Sequence, residues 1–258
     1  MAQDFQAPPP QPFVWPERGV VLIPAWNEEG ALPEFLAEVR LALPALTVVV
    51  INDGSADRTA AVARRAGVHV LDLPCNLGVG GAVQAGFQFA IHHGFDYALR
   101  LDADGQHPPA EAWKLMETMR AQACDLVVGT RFGGATTNIS TRVRYAGIRS
   151  LALFLTLICR SRVTDPTSGF WLVNRRLLRL FSQYYPSDYP EPEALALMRR
   201  LGYAFHEQPV TFRTRTSGQS SIGRWDTLYY ALKVGLALVV DRLRPVDTHL
   251  SAHRSTTL

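Results

Sequence analysis

The chain has 258 residues, 47% of them hydrophobic and 19% charged, which excludes a disordered polyelectrolyte. A chain of this length buries about 70–75% of its unfolded surface and needs no disulfides to hold a core. The net charge of +3 hides a split: residues 1–130 carry 8 basic and 15 acidic side chains, residues 131–258 carry 18 and 8.

That split implies a cation site in the first half and an anionic partner in the second. Only Lys114 and Lys233 are lysines, so the positive charge is almost all guanidinium, a group whose planar fork suits phosphate. Cys75, Cys124 and Cys159 lie far apart without metal-ligand spacing, as expected in a reducing compartment. The N-terminus is polar and rich in Pro and Gln, unlike a secretory leader. No apolar run reaches the roughly 20 residues of a membrane span. The expectation is a chain that is soluble or rests on a membrane without crossing it.

In chain order, Gly19–Pro24 and Thr47–Asn52 are Val/Leu/Ile runs of the buried parallel-strand type. Between them, Leu32, Phe35, Leu36 and Val39 give Glu28–Leu43 a helical period. A helix from Asp57 to Ala66, a strand over Val68–Leu73 and a helix over Gly78–His93 follow. Next come a strand over Tyr97–Asp102, a helix over Ala110–Ala121 and a strand over Leu126–Thr130. This alternation predicts an α/β fold with a mostly parallel, Rossmann-like sheet flanked by helices. Ligands then bind beyond the carboxyl ends of the strands.

After Arg131 the alternation stops. Phe132–Thr141 reads as a loop, Arg142–Arg162 as a helix with an apolar centre and arginine flanks, and Gly169–Asn174 as a strand. A helix over Pro192–Leu201, one or two strands over Tyr203–Arg215, and an apolar helix over Trp225–Arg244 complete the prediction. The division expected is a disordered tail at 1–16, a ligand-binding half at 17–131, a second half of helices and short strands at 132–245, and a tail at 246–258.

Four polar segments fall just past strand ends: Pro24-Ala25-Trp26-Asn27-Glu28-Glu29, Asn52-Asp53-Gly54-Ser55, Asn76-Leu77-Gly78-Val79-Gly80-Gly81, and Asp102-Ala103-Asp104-Gly105-Gln106. Singly, each has a plain explanation as a helix cap or turn. Together they change the reading: carboxylates at the ends of strands two and four would face one crevice. Asp102 and Asp104, two apart in an extended strand end, would point their oxygens alike, and Gln106 adds a third oxygen. Hard oxygen ligands with open positions suit Mg²⁺ or Mn²⁺ bridging a diphosphate. A dinucleotide-dependent dehydrogenase would need a Gly-rich turn after the first strand, where this chain has Pro-Ala-Trp-Asn-Glu.

In order and spacing these motifs resemble those of the family 2 glycosyltransferases with the GT-A fold, in the branch of dolichyl- and undecaprenyl-phosphate sugar synthases. The resemblance runs from about Val20 to Ser221 and includes Gly129-Thr130-Arg131, Asp165-Pro166-Thr167-Ser168-Gly169 and the stretch from Arg213 to Ser221. It implies a metal-dependent hexosyltransferase that inverts the anomeric carbon in one displacement. Asp53 would contact the base of a UDP- or GDP-linked sugar, with Pro24, Ala25, Asn27, Glu28 and Gly78 alongside. Asp102, Asp104 and Gln106 would hold Mg²⁺ or Mn²⁺. Arg131, Arg213, Arg215 and Ser220 would grip the phosphate of a polyprenyl acceptor. The resemblance is broken where a Lys is usual and this chain has Ser221 or Ile222, and where Glu191-Pro192-Glu193 stands at the acceptor-side acid.

The alternative acceptor is a sugar hydroxyl of a growing cell-envelope glycan or lipid-linked saccharide, which needs a base; Glu193 is the candidate. A reading from another class is a silent sugar-nucleotide-binding subunit supporting a membrane-protein partner. The expected location is cytoplasmic, at the inner face of the cell membrane, with the helices at 142–162 and 225–244 against an anionic surface. No nucleic-acid partner is expected.

Overall fold

A computed structural model describes residues 18–133 and 142–213, together with Gly235. The expectations for residues 1–16, most of the loop after Arg131, Arg215, Ser220 and the helix over Trp225–Arg244 therefore fall outside the described residues, apart from Gly235.

The first half alternates as expected: β1 (Gly19–Ala25), α1 (Leu32–Ala42), β2 (Thr47–Asn52), α2 (Thr59–Arg65), β3 (His69–Asp72), α3 (Gly78–His92), β4 (Tyr97–Arg100), α4 (Ala112–Gln122) and β5 (Leu126–Thr130). The second half adds α5 (Arg142–Cys159), β6 (Trp171–Asn174), α6 (Arg175–Gln183), α7 (Pro190–Arg200) and β7 (Phe205–Pro209). All seven strands form one sheet in the order β3-β2-β1-β4-β6-β5-β7. Every pairing is parallel except those of β6, which runs antiparallel to both β4 and β5.

The alternation of strand side chains divides the core. Val20, Leu22, Val49, Ile51, Val128 and Trp171 face α3, α5, α6 and α7 on one side. Val21, Ile23, Val50, Leu99, Val127 and Leu172 face α1 and α4 on the other. A sheet covered on both faces explains strands that read as unbroken apolar runs.

The helix α6 has no counterpart in the sequence-based prediction. Its signal is nevertheless present: the Asn174 side chain caps it by accepting the Leu177 N–H at 3.0 Å, and Leu177, Leu178, Leu180 and Phe181 form its buried stripe. On α5, Leu151, Leu155 and Cys159 are buried while Leu153 and Leu157 are exposed. Gly235 is helical, and a Cβ added to it would lie 3.9 Å from the Phe154 ring. Gly235 thus lies beside α5 at that point. No helix among the described residues is long and apolar enough to cross a membrane. The three cysteines are unpaired.

Candidate active site

The loops after β1 and β2 are zipped together by side-chain to backbone bonds. Asn27, at φ 54°, donates its N–H to Ser55 Oγ at 3.0 Å and accepts the Ala56 N–H at 2.9 Å through Oδ1. The Glu28 N–H reaches Thr59 Oγ1, and the Glu29 N–H reaches Asp57 Oδ2. Burial works to raise the Asp57 carboxyl, but the Thr59 bonds outweigh it and hold the group below its ordinary range. Two expected donor contacts, Asn27 and Glu28, therefore brace the loops that form the crevice wall. Pro24 and Ala25 are the last residues of β1, and Ala25 O accepts the Asp53 N–H.

Asp53 is buried at the end of β2, and its Oδ1 accepts the Leu77 N–H at 2.7 Å. This bond fixes the carboxylate against the start of α3. Gly78 opens α3, its N–H held by Asn76 Oδ1 at 2.9 Å. Gly80 has a packing role: a Cβ there would lie 2.5 Å from the Pro186 carbonyl oxygen, so α3 approaches the segment before α7 only through glycine.

The Asp102–Gln106 segment departs from the extended geometry expected of it. β4 ends at Arg100, and residues 103–105 form a turn in which Gly105 takes φ 75°. Asp104 Oδ1 accepts the Gln106 N–H at 3.0 Å, an Asx-type closure. The turn sits on His107, whose Nδ1 accepts the Asp102 N–H at 3.0 Å while its ring stacks on Phe170. Burial keeps His107 neutral by lowering its pKa. The Nε2 nitrogen then carries the proton and faces Asp102 Oδ2 at 3.7 Å.

Behind Asp102 stands Gly169. A Cβ there would lie 2.8 Å from both Asp102 Oδ2 and Arg100 Nη2; only glycine leaves this carboxylate its space. Asp102 keeps about a third of its side-chain surface exposed. Among the described residues no group of three or more His, Cys, Asp or Glu side chains is arranged to hold a metal by itself. The donor set fits Mg²⁺ or Mn²⁺ in the other mode these ions use, one or two carboxylates with the remaining positions filled by substrate phosphate and water.

On the far side, Arg131 follows β5 and is almost buried. Its Nε and Nη2 bind Asp165 Oδ2 and Oδ1 at 2.8 and 2.6 Å, and Nη2 also reaches Thr167 Oγ1. Burial works to lower the guanidinium pKa, but the bonds and charge of Asp165 outweigh it and raise the pKa overall. Asp165 is placed in turn by Glu207 of β7, which accepts the Thr164 and Asp165 N–H groups at 2.8–2.9 Å. Burial pushes Glu207 above the usual carboxylate range. Arg213 forms a two-pronged pair with Glu38 of α1, both contacts 2.7 Å, and its N–H closes onto Gln106 O. A cavity of about 620 Å³ opens beside Arg131, lined by Thr130, Phe132, Arg149, Arg162 and Glu207 among others.

Two acids stand in the first turn of α7, Glu191 and Glu193. Glu191 Oε1 pairs at 2.8 Å with Arg100 Nη2, which also lies 3.3 Å from Asp102 Oδ1. Arg100 is fully buried, and sequence reasoning passed over it because a basic residue at a strand end reads as solvated. Burial opposes its charge, but Asp102 and Glu191 raise its pKa.

The profile of the family described as Glycosyl transferase family 2 matches residues 20–181. An undecaprenyl-phosphate mannosyltransferase of Micrococcus luteus is 32% identical over 80% of this chain and 87% of its own. A polyprenol monophosphomannose synthase of Mycolicibacterium smegmatis is 29% identical over 89% and 91%. Among solved structures, glucosyl-3-phosphoglycerate synthase of Mycobacterium tuberculosis, in complex with Mn²⁺, UDP and phosphoglyceric acid, superposes with TM-score 0.67 at 22% identity, over 90% of this chain and 80% of that one.

Proposed function

The chain belongs to glycosyl transferase family 2, and from that premise we propose that it moves a sugar from a nucleotide-diphospho-sugar to a polyprenyl phosphate at a membrane surface. The observation that supports the donor side is that Asp53 follows β2 and Asp102 and Asp104 follow β4, both strands parallel to β1 between them, so the three acids leave the sheet at one carboxyl edge. Two relatives, named as an undecaprenyl-phosphate mannosyltransferase and a polyprenol monophosphomannose synthase and both covered over most of their length, support the acceptor.

In this reading Asp53 accepts a hydrogen bond from the imide N–H that uracil and guanine both present. Its orientation is already fixed by Leu77, so binding costs little reorganisation. Asp102 and Asp104, with Gln106, hold Mg²⁺ or Mn²⁺, which when bound neutralises charge developing on the leaving diphosphate. The acceptor phosphate is ionised at neutral pH and needs no general base. One of its oxygens attacks the anomeric carbon while the bond from that carbon to the diphosphate breaks on the opposite face, inverting the centre. The cations offered from the acceptor half are Arg131, between the cavity-lining residues Thr130 and Phe132, and Arg149 and Arg162 along the cavity wall. Arg215 and Ser220 belong to the same proposed grip.

Exposed Leu153 and Leu157 on α5, with arginines at both ends of that helix, suit contact with an anionic cytoplasmic leaflet. Co-sedimentation with anionic vesicles at low salt should capture the chain, and Leu153→Glu with Leu157→Glu should release it.

One observation favours the sugar-hydroxyl acceptor: Arg131 and Arg213 already hold Asp165 and Glu38. The test is transfer from UDP- and GDP-sugars with Mn²⁺ to undecaprenyl phosphate and to saccharide acceptors. Label in the lipid phase, with Glu193→Gln near wild type, supports the phosphate reading. Product only on saccharides, with Glu193→Gln reduced about 10²-fold or more, overturns it.

A further inference from the structure

Arg100 lies under the Asp102 turn with its charge buried, and a guanidinium does not shed its proton. It therefore requires counter-ions. The structure gives it two, and both use the same nitrogen: Glu191 at 2.8 Å and Asp102 at 3.3 Å from Nη2. Among the described residues Nε and Nη1 have no hydrogen-bond partner, and the Trp171 ring lies 6.0 Å from Cζ. The cation is thus divided between an acid on the acceptor-side helix α7 and the acid assigned above to the metal and diphosphate. The nearer of the two is Glu191.

We infer that Glu191 is a positioning residue: as the nearer counter-ion of Arg100, it keeps that cation from drawing Asp102 further inward. The inference rests on the reading of Asp102 as a ligand of the metal-diphosphate. Coulomb attraction rises as one charge loses its competitor. Without the Glu191 charge, Asp102 is the one acid among the described residues left to pair with Arg100, and the carboxylate is drawn inward, away from the crevice. Gly169 leaves open the space through which it would move.

The test is calorimetric titration of the full chain with UDP, and with GDP in parallel, each with and without Mn²⁺. In Glu191→Gln the Mn²⁺-dependent gain in nucleotide affinity should shrink about tenfold, while affinity without Mn²⁺ stays at the wild-type value. The double variant Arg100→Gln, Glu191→Gln should recover most of that gain, because the competing cation is gone. A merely structural Glu191 predicts no recovery. Should Glu191→Gln fail to fold, Glu191→Asp keeps the charge on a shorter stem and should show an intermediate loss. A wild-type chain whose affinity ignores Mn²⁺ overturns the metal reading and this inference with it. Wild-type dependence that persists undiminished in Glu191→Gln, or a double variant no better than the single one, overturns this inference alone.

Discussion

The two sides of the crevice use charge in opposite ways. On the donor side, Asp53 and Asp104 are oriented by backbone N–H groups, those of Leu77 and Gln106. Such bonds fix a carboxylate without cancelling its charge. On the acceptor side the charged groups are fixed by one another: Arg131 by Asp165, Arg213 by Glu38 and Glu191 by Arg100. A donor-side substitution should therefore cost ligand affinity or turnover and spare the fold. An acceptor-side substitution should leave a partner charge stranded and cost stability first.

The largest expected effect tests the donor side. Asp104→Ala should lower transfer about 10³-fold or more, on the several kcal/mol that a cation at the leaving group supplies, with an unchanged melting temperature. EDTA should reproduce the loss. Near wild-type turnover in either case would remove Asp104 from the chemistry. Next in size, Arg131→Ala should lower stability by about 3–5 kcal/mol, since Asp165 would remain buried and unpaired. Denaturant melts measure this directly, and a melt matching the wild type would break the contrast between the sides.

Asp53→Asn should weaken nucleotide binding about tenfold, through a donor facing a donor at about 1–3 kcal/mol, again with an intact melt. Calorimetry showing wild-type affinity would take Asp53 out of the base site. The smallest effect sharpens the acceptor side through pH. Glu207 has a raised folded pKa, so the folded state binds its proton more tightly than the unfolded state does. Its contribution is present in full below the unfolded value of about 4.5 and is lost as pH rises through the folded value. The stability of the wild type relative to Glu207→Gln should accordingly grow as pH falls from 7 toward 4.5. A constant difference across that range would show that Glu207 does not titrate in the fold's favour.

The donor side was legible in the sequence because its ingredients are local. Apolar runs end in polar loops, and a parallel sheet brings those loops to one edge whatever the details of packing. The Asp102–Gln106 segment follows β4 at that edge, as a turn and not as the extended strand end expected of it. The acceptor side was less legible because its partners are remote. Glu38 lies 175 residues from Arg213, and Asp165 lies 34 from Arg131, so arginines that read as free phosphate ligands are found already paired. The helix α7 starts at Pro190, two residues before the start expected at Pro192, and proline suits the first turn of a helix at either place. Nothing in the local pattern around Arg100 distinguishes a buried cation from a solvated one.

The reversed strand β6 has a consequence for how the chain comes into being. β5 is complete at Thr130, yet its neighbours in the sheet are β6 and β7, made from residues 171–209. During synthesis, β1 to β4 can pair as soon as they emerge, but their sheet then ends in an open β4 edge until Trp171–Asn174 arrives. Such an edge is a template for pairing with other chains, and contacts this distant in sequence form slowly. The interval between emergence of β4 and arrival of β6 is when this protein is most exposed to aggregation. Fragments stopping short of residue 174 should inherit that exposure permanently.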